Sequence, residues 1–298
     1  MPAESLIEWP QPILELIGFI AAFFAAGGVG FRYAALRPLR RSAAPGERSL
    51  ADGMAARAAM LGLVGTLTRV TLFAIGLPGN AARRHVTPTA FITGSPTIAL
   101  QLGLWLLTIA GFALAPRRGS IGWTLAALGV IAGALTPGFF GQWARMVNPL
   151  HVLAGGLWIG TLFMLLTLGI PAALRGGSDG ARRGARVAEM VNGFSPLALG
   201  SAGALAVFGV ITAWRHLHTL AALWTTPYGD ALIAKLCVVM GVAGLGAWNW
   251  RRVKPRLGSE SAAHELKRSA RLELMVAAVV LLTTAILVSL PAPRPPGG

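Results

Sequence analysis

The sequence predicts an all-α protein that crosses a membrane several times. It has 298 residues, of which 54% are hydrophobic and only 12% are charged, whereas a soluble domain carries about 25% charged residues. The apolar residues fall into repeated runs of about 20 residues, the length of a helix that spans a bilayer. A polytopic bundle of transmembrane helices is the fold class that follows.

We expect about eight spans, rich in Ala, Gly and Leu, whose small residues allow close helix packing. The polar stretches around 41–52, 175–195 and 253–270 are predicted to be simple connectors, and the tail from Pro291 to Gly298 is predicted to be disordered. Four spans fall in an N-terminal part, 1–145, and four in a C-terminal part, 146–298. The predicted spans lie at about 11–34, 54–77, 96–115, 119–140, 149–172, 196–214, 230–250 and 272–290.

Basic residues alternate between loops, which sets the expected orientation. The formal net charge of +15 would suggest a nucleic-acid partner in a soluble protein. Here most of this charge lies in the first, third, fifth and seventh loops, and short basic loops tend to stay in the cytoplasm. We therefore expect both termini outside, and we exclude nucleic acid as a partner. The basic residues of these loops are Arg37, Arg40, Arg41, Arg48, Arg117, Arg118, Arg175, Arg182, Arg183, Arg186, Arg251, Arg252, Lys254, Arg256, Lys267 and Arg268.

Several kinds of chemistry lack support in the sequence. Cys237 is the single cysteine, which excludes intrachain disulfides and Cys-pair metal motifs. The chain has no nucleotide-binding P-loop and no paired carboxylates at mid-membrane. No Ser/His/Asp arrangement is readable, so we expect the protein not to be an enzyme.

Three histidines are candidate metal ligands at the outer side. His151 lies about one turn inside the fifth span, and an ionisable residue inside a span indicates a functional site. His216 and His218 follow the sixth span. Residues spaced i, i+2 share one side of a strand but not of a helix, so this pair chelates a metal only if the loop is extended.

Sulfur-containing side chains are candidates for a path leading inward from His151. Met164 lies in the fifth span, and Cys237 and Met240 lie in the seventh with a spacing of i, i+3. Thiolate and thioether ligands favour Cu(I). Methionine and cysteine are also ordinary packing residues, so both interpretations stay open.

Charged residues inside the spans form a third group. Arg69 and Lys235 lie in the outer halves of their spans, where exposure to lipid would cost several kcal/mol. Glu15 is the expected partner of Arg69, and Asp230 precedes Lys235 by about one turn. These charges either hold helices in register or bind an anion, such as a haem propionate or a substrate carboxylate.

The stretch His151-Val-Leu-Ala-Gly-Gly-Leu-Trp-Ile-Gly160 resembles the fifth-span signature of the copper resistance protein D (CopD) family. The resemblance continues in order through 227–236, 247–257 and 266–273, and covers about 146–291. The chain departs from the family pattern at Thr136-Pro-Gly-Phe-Phe140, because members of the family often carry a Gly-His pair before the fifth span. The positions that match the family pattern are His151, Trp158, Tyr228, Lys235, Asn249 and Glu273.

The resemblance implies a bacterial inner-membrane protein that moves copper from the periplasm toward the cytoplasm, often beside a periplasmic copper carrier of the CopC type. Copper would be received by His151 with His216, His218 or Met146, and passed inward by sulfur ligands. The alternative is a haem- or quinone-linked redox protein with His151 as an axial ligand. A structural or assembly subunit without a substrate is a third hypothesis.

Overall fold

Eight long helices dominate the residues that the computed structural model describes, which are 10–41, 44–175, 180–217, 219–248, 251 and 260–289. No strand occurs among these residues. Short helices at Arg37–Arg41, Pro88–Thr93 and Ala222–Thr225 lie between the long ones. The long helices are α1 (Gln11–Ala35), α2 (Pro45–Ala82), α3 (Pro96–Arg118), α4 (Ser120–Leu135), α5 (Trp143–Arg175), α6 (Gly180–Leu217), α7 (Pro227–Trp248) and α8 (Glu260–Ser289).

Seven of these helices are long and apolar enough to cross a membrane. The exception is α4, whose 16 residues extend about 24 Å, whereas a bilayer core is about 30 Å thick. A span was predicted at 119–140, but α4 ends before Pro137, which lacks the amide hydrogen that continues a helix. The all-α polytopic class is confirmed, with seven long helices and one shorter apolar helix in the part of the chain described.

All three stretches predicted to be connectors contain helix among the described residues, and α8 begins at Glu260 rather than near 272. The helix α2 begins at Pro45 rather than near 54, and α6 begins at Gly180 rather than near 196. The extension of α6 has a buried face that includes Val187 and Met190, at the i, i+3 spacing of an amphipathic helix. Polar composition concealed this face in the sequence.

An ion-pair network joins the extensions of α2 and α6. The Glu47 carboxylate, 4% exposed, accepts hydrogen bonds from Arg182 Nε at 3.0 Å and from Arg186 Nε at 2.9 Å. Arg182 also donates to Glu189 at 2.9 Å. The network therefore ties the first turn of α2 to the first turns of α6.

The helix α1 lies at the centre of the bundle and contacts α2, α4, α5, α6 and α8. Its crossing with α5 is closest at two glycines. A Cβ on Gly27 would overlap the backbone of Gly160, and a Cβ on Gly160 would overlap the carbonyl oxygen of Phe23. The Thr161 hydroxyl donates to the Gly27 carbonyl oxygen at 3.4 Å. The glycines of the fifth span thus form the close helix contact that their spacing predicted.

Packing is uneven along the bundle. We call the end with the arginine-rich loops (α1–α2, α3–α4, α5–α6 and α7–α8) the inner end, and the opposite end the outer end. The large buried cluster, with Phe31, Met54, Trp123, Met164 and Met190, lies toward the inner end. A smaller buried cluster around Tyr228 lies at the outer end. The buried core is therefore more extensive toward the inner end than at the outer end.

The contact between α1 and α5 predicts a strong response to one added methyl group. We expect Gly160→Ala to lower the free energy of unfolding by about 1–3 kcal/mol, because the backbone of α1 must move away. The matched control is Gly203→Ala in α6, where a Cβ meets nothing within 4 Å. Alanine favours helix by about 1 kcal/mol over glycine, so this control should be stabilised. Thermal unfolding in one detergent compares the two variants. Equal changes in stability would show that Gly160 is not in close contact with α1.

The Glu47 network predicts that loss of a buried ion pair costs more stability than loss of an exposed one. We expect Glu47→Gln to lower the free energy of unfolding by about 1.5–3 kcal/mol, because charge-assisted bonds to two arginines are lost. The control is Asp52→Asn, since the Arg40–Asp52 pair is exposed, with the Asp52 side chain 61% accessible. An exposed pair contributes about 1 kcal/mol or less. Denaturant titration measures the free energy of unfolding of both variants. A larger decrease in Asp52→Asn than in Glu47→Gln would show that the Glu47 network contributes little to stability.

Candidate functional site

The His151 side chain lies between α5 and α6, toward the outer end. A Cβ on Gly209 of α6 would meet the imidazole Cε1 at 3.4 Å, so the ring occupies the space that this glycine leaves open. The backbone of Leu205, one turn earlier in α6, also interacts with the ring. The imidazole Nδ1 is buried and has no hydrogen-bond partner among the described residues. A buried imidazole nitrogen without a partner suits a metal ion or a water molecule.

One cation lies close to this histidine. Lys235 of α7 is near enough to interact electrostatically with the His151 ring. The described residues give Lys235 no ion pair, and Asp230, the predicted shield, is exposed. The site therefore combines a metal-ligating group with a nearby positive charge, which disfavours prolonged binding of a cation.

The structure does not assemble the expected sulfur path. Met164 is fully buried in the core cluster, whereas Cys237 is exposed and Met240 is 71% exposed on α7. Cys237 and Met240 share a helix face as predicted, but that face points away from the bundle. No group of three His, Cys, Asp or Glu residues that could hold a metal ion occurs in the described part of the chain. The side chain of His216, and His218 and Asn249 entirely, lie outside the described residues.

Glu15 and Arg69 line one large cavity, which we call the N-terminal cavity. It has a volume of about 910 Å³, is partly open, and is bounded by α1, α2, α3, α4 and the start of α5. The predicted ion pair is not formed: Glu15 instead accepts a hydrogen bond from Gln11 at 3.1 Å. The guanidinium of Arg69 lies over the Trp105 ring, 5.5 Å from its centroid. Sequence reasoning placed both charges at one depth, but it could not set the rotation of either helix.

A second cavity lies toward the inner end. This cleft of about 520 Å³ is bounded by α5, α6, α7 and α8 and is mostly apolar. Glu273, 6% exposed, and Trp158 line it, and a Cβ on Gly246 would meet them at 3.6 and 3.9 Å. The structure thus brings together two predicted family positions, while Tyr228 belongs to the separate outer cluster.

Comparison with known proteins shows which of these helices resemble a known family. Residues 188–287 match the family model described as copper resistance protein D. Over those residues the chain is CopD-like. The chain is also similar to "Copper transport protein CutJ" of Bacillus subtilis (strain 168), with 27% identity over 227 residues, which are 71% of this chain and 40% of the relative. The chain thus spans about two-fifths of the length of the curated relative it matches. No solved structure matches.

The CopD-like segment supplies most of the walls around the His151 site and the inner cleft. It contributes Leu205, Gly209 and Lys235 around His151, and Gly246 and Glu273 in the inner cleft. His151 and Trp158 themselves precede the matched segment. The sequence analysis did not identify Gly209 as part of the site. The one feature of the sequence that points to it is its i, i+4 spacing from Leu205, which places both residues on one face of α6. The match confirms the predicted family resemblance over 188–287, and the stretch His151–Gly160 lies outside it.

The positions of the sulfur atoms lead to a prediction. We expect Met164→Ala to lower the free energy of unfolding by about 2–5 kcal/mol because it opens a cavity in the core. We expect Met240→Ala to change it by no more than about 0.5 kcal/mol. Thermal unfolding compares the purified variants, and Met164→Leu, which nearly conserves volume, controls for cavity formation. Loss of cellular copper accumulation in a stable Met240→Ala variant would contradict the outward orientation.

Proposed function

We propose that this chain is an inner-membrane protein that moves copper from the periplasm toward the cytoplasm and serves copper homeostasis. The proposal rests on one structural observation: the buried Nδ1 of His151 has no partner among the described residues, and CopD-like helices surround it. The name of the curated relative, a copper transport protein, supports copper as the substrate.

Coordination at His151 would be sparse and brief. Imidazole binds copper well, but the described residues hold no three-ligand group. Met146, one turn and a half before His151, and His216, two turns beyond Gly209 on α6, are the nearest candidates along their helices. A transported ion must bind weakly enough to leave. The positive charge of Lys235 would favour that release.

Partners and location follow from the same proposal. We propose that the outer end faces the periplasm, because the arginine-rich inner end is typical of a cytoplasmic side. A periplasmic carrier of the CopC type would then deliver copper near His151. The inner cleft, with the Glu273 carboxylate, would lie on the far side of the membrane, where an ion leaves the bundle.

The test compares two histidines. We expect His151→Ala to weaken copper binding at least about tenfold and to reduce cell copper content to the level of a gene deletion. The control is His85→Asn: His85 is exposed and has a φ of 55°, which asparagine tolerates. Gly209→Leu, which crowds the ring without removing it, should act like His151→Ala. Mass-spectrometric copper analysis measures all three variants.

Two results would count against this proposal. Copper content unchanged by His151→Ala in a folded variant would remove His151 from the path. An absorption band in the Soret region that disappears in His151→Ala would instead support the haem hypothesis, in which the imidazole is an axial ligand. The spectrum of purified protein and its metal content, measured together, separate the two functions.

A further inference from the structure

We propose that the N-terminal cavity binds an amphiphilic organic anion, whose carboxylate or phosphate head contacts Arg69 and whose apolar body lies along the cavity wall. The cavity lies outside the CopD-like segment 188–287. The proposal does not depend on copper transport. It rests on an arginine that the protein positions but does not neutralise.

Arg69 is held in place from one side only. Its guanidinium lies over the Trp105 ring, and Phe73 packs edge-on against the same ring, with centroids 5.7 Å apart. With the Gln101 amide in its favoured orientation, its oxygen accepts a bond from Trp105 Nε1 at 3.0 Å, and its nitrogen donates to the Gly133 carbonyl at 3.0 Å. This chain of contacts fixes the indole, and the indole positions the guanidinium.

The other two charged residues that line the cavity, Glu15 and Arg83, each form a hydrogen bond with a neutral amide. Glu15 accepts from Gln11, and Arg83 donates to Asn80. Arg69 makes no hydrogen bond or ion pair with any described residue, so its N–H donors are left for whatever occupies the cavity. An unpaired guanidinium within a span is costly, and such residues usually mark a functional site. Carboxylate and phosphate groups match the planar fork of arginine with two parallel hydrogen bonds.

Volume and lining define the rest of the ligand. The cavity of about 910 Å³ lies at the upper end of the range for organic ligands, about 300–1,000 Å³, and greatly exceeds an inorganic ion. Apolar side chains such as Leu14, Phe19, Leu72 and Val130 form much of the wall. A single anionic head on an apolar body matches the Arg69 guanidinium, which forms no hydrogen bond within the described part of the chain, and the apolar surface around it. A phospholipid headgroup and a free fatty acid share this chemistry.

The experiment uses the full chain in a neutral detergent without copper. Phosphatidylglycerol and oleate are the anionic probes, and phosphatidylcholine and diolein are the matched zwitterionic and neutral probes. Native mass spectrometry measures adducts, and thermal shifts measure affinity. We expect the anionic probes to bind the wild type, and Arg69→Gln to weaken that binding about tenfold or more through loss of charged hydrogen bonds.

Arg83→Gln is the control, because it removes a positive charge from the same wall but leaves Arg69 intact. If Arg69→Gln fails to fold, Arg69→Lys keeps the charge over Trp105 and loses the planar fork, and binding should weaken by a smaller factor.

Arg69-dependent binding of phosphatidylglycerol alone would identify a lipid phosphate as the ligand group, and Arg69-dependent binding of oleate alone would identify a carboxylate. Binding of neither anion, equal binding of all four probes, or binding unaffected by Arg69→Gln would overturn the proposal. None of these results bears on the copper measurements with His151→Ala, so the two proposals can fail independently.

Discussion

The arrangement of the bundle depends on the contact between Gly27 and Gly160. Because neither residue has a side chain, the backbones of α1 and α5 approach closely enough for the Thr161 hydroxyl to reach the Gly27 carbonyl oxygen. In a membrane, where lipid competes equally for apolar surface, such close packing is a main source of helix association. With α5 fixed against α1, the remaining helices pack around this pair. The position of His151 against α6 follows from this central crossing.

The two ends of the bundle differ in packing, although the inner end also contains the smaller cleft. Toward the inner end, large side chains fill the core and the Glu47 network ties α2 to α6. The outer end contains the half-buried His151 and most of the N-terminal cavity. Such a division lets polar groups meet water or ligands at one end while the other keeps the helices in register.

Sequence alone predicted the membrane class and the approximate positions of seven spans, because run length and loop charge can be read along the chain. It did not predict the helical extensions of α2 and α6, whose stabilising ion pairs join residues 135 and 139 positions apart. It also expected Glu15 to pair with Arg69, and Met164 to align with Cys237. Depth in a span can be counted along the sequence, but the direction a side chain faces depends on how each helix is rotated against its neighbours. Tertiary packing alone decides that rotation.

The π-helical turn at Gly156–Gly160 has a consequence for chain length. A π turn holds one residue more than an α turn, and each residue of an α-helix advances the face by about 100°. The extra residue therefore sets the angular offset that directs His151 toward α6 while Gly160 remains against α1. A deletion of one residue here would turn one half of α5 relative to the other. This stretch is therefore constrained twice: Gly156 and Gly160 leave no room for an added side chain, and the number of its residues sets the direction of His151.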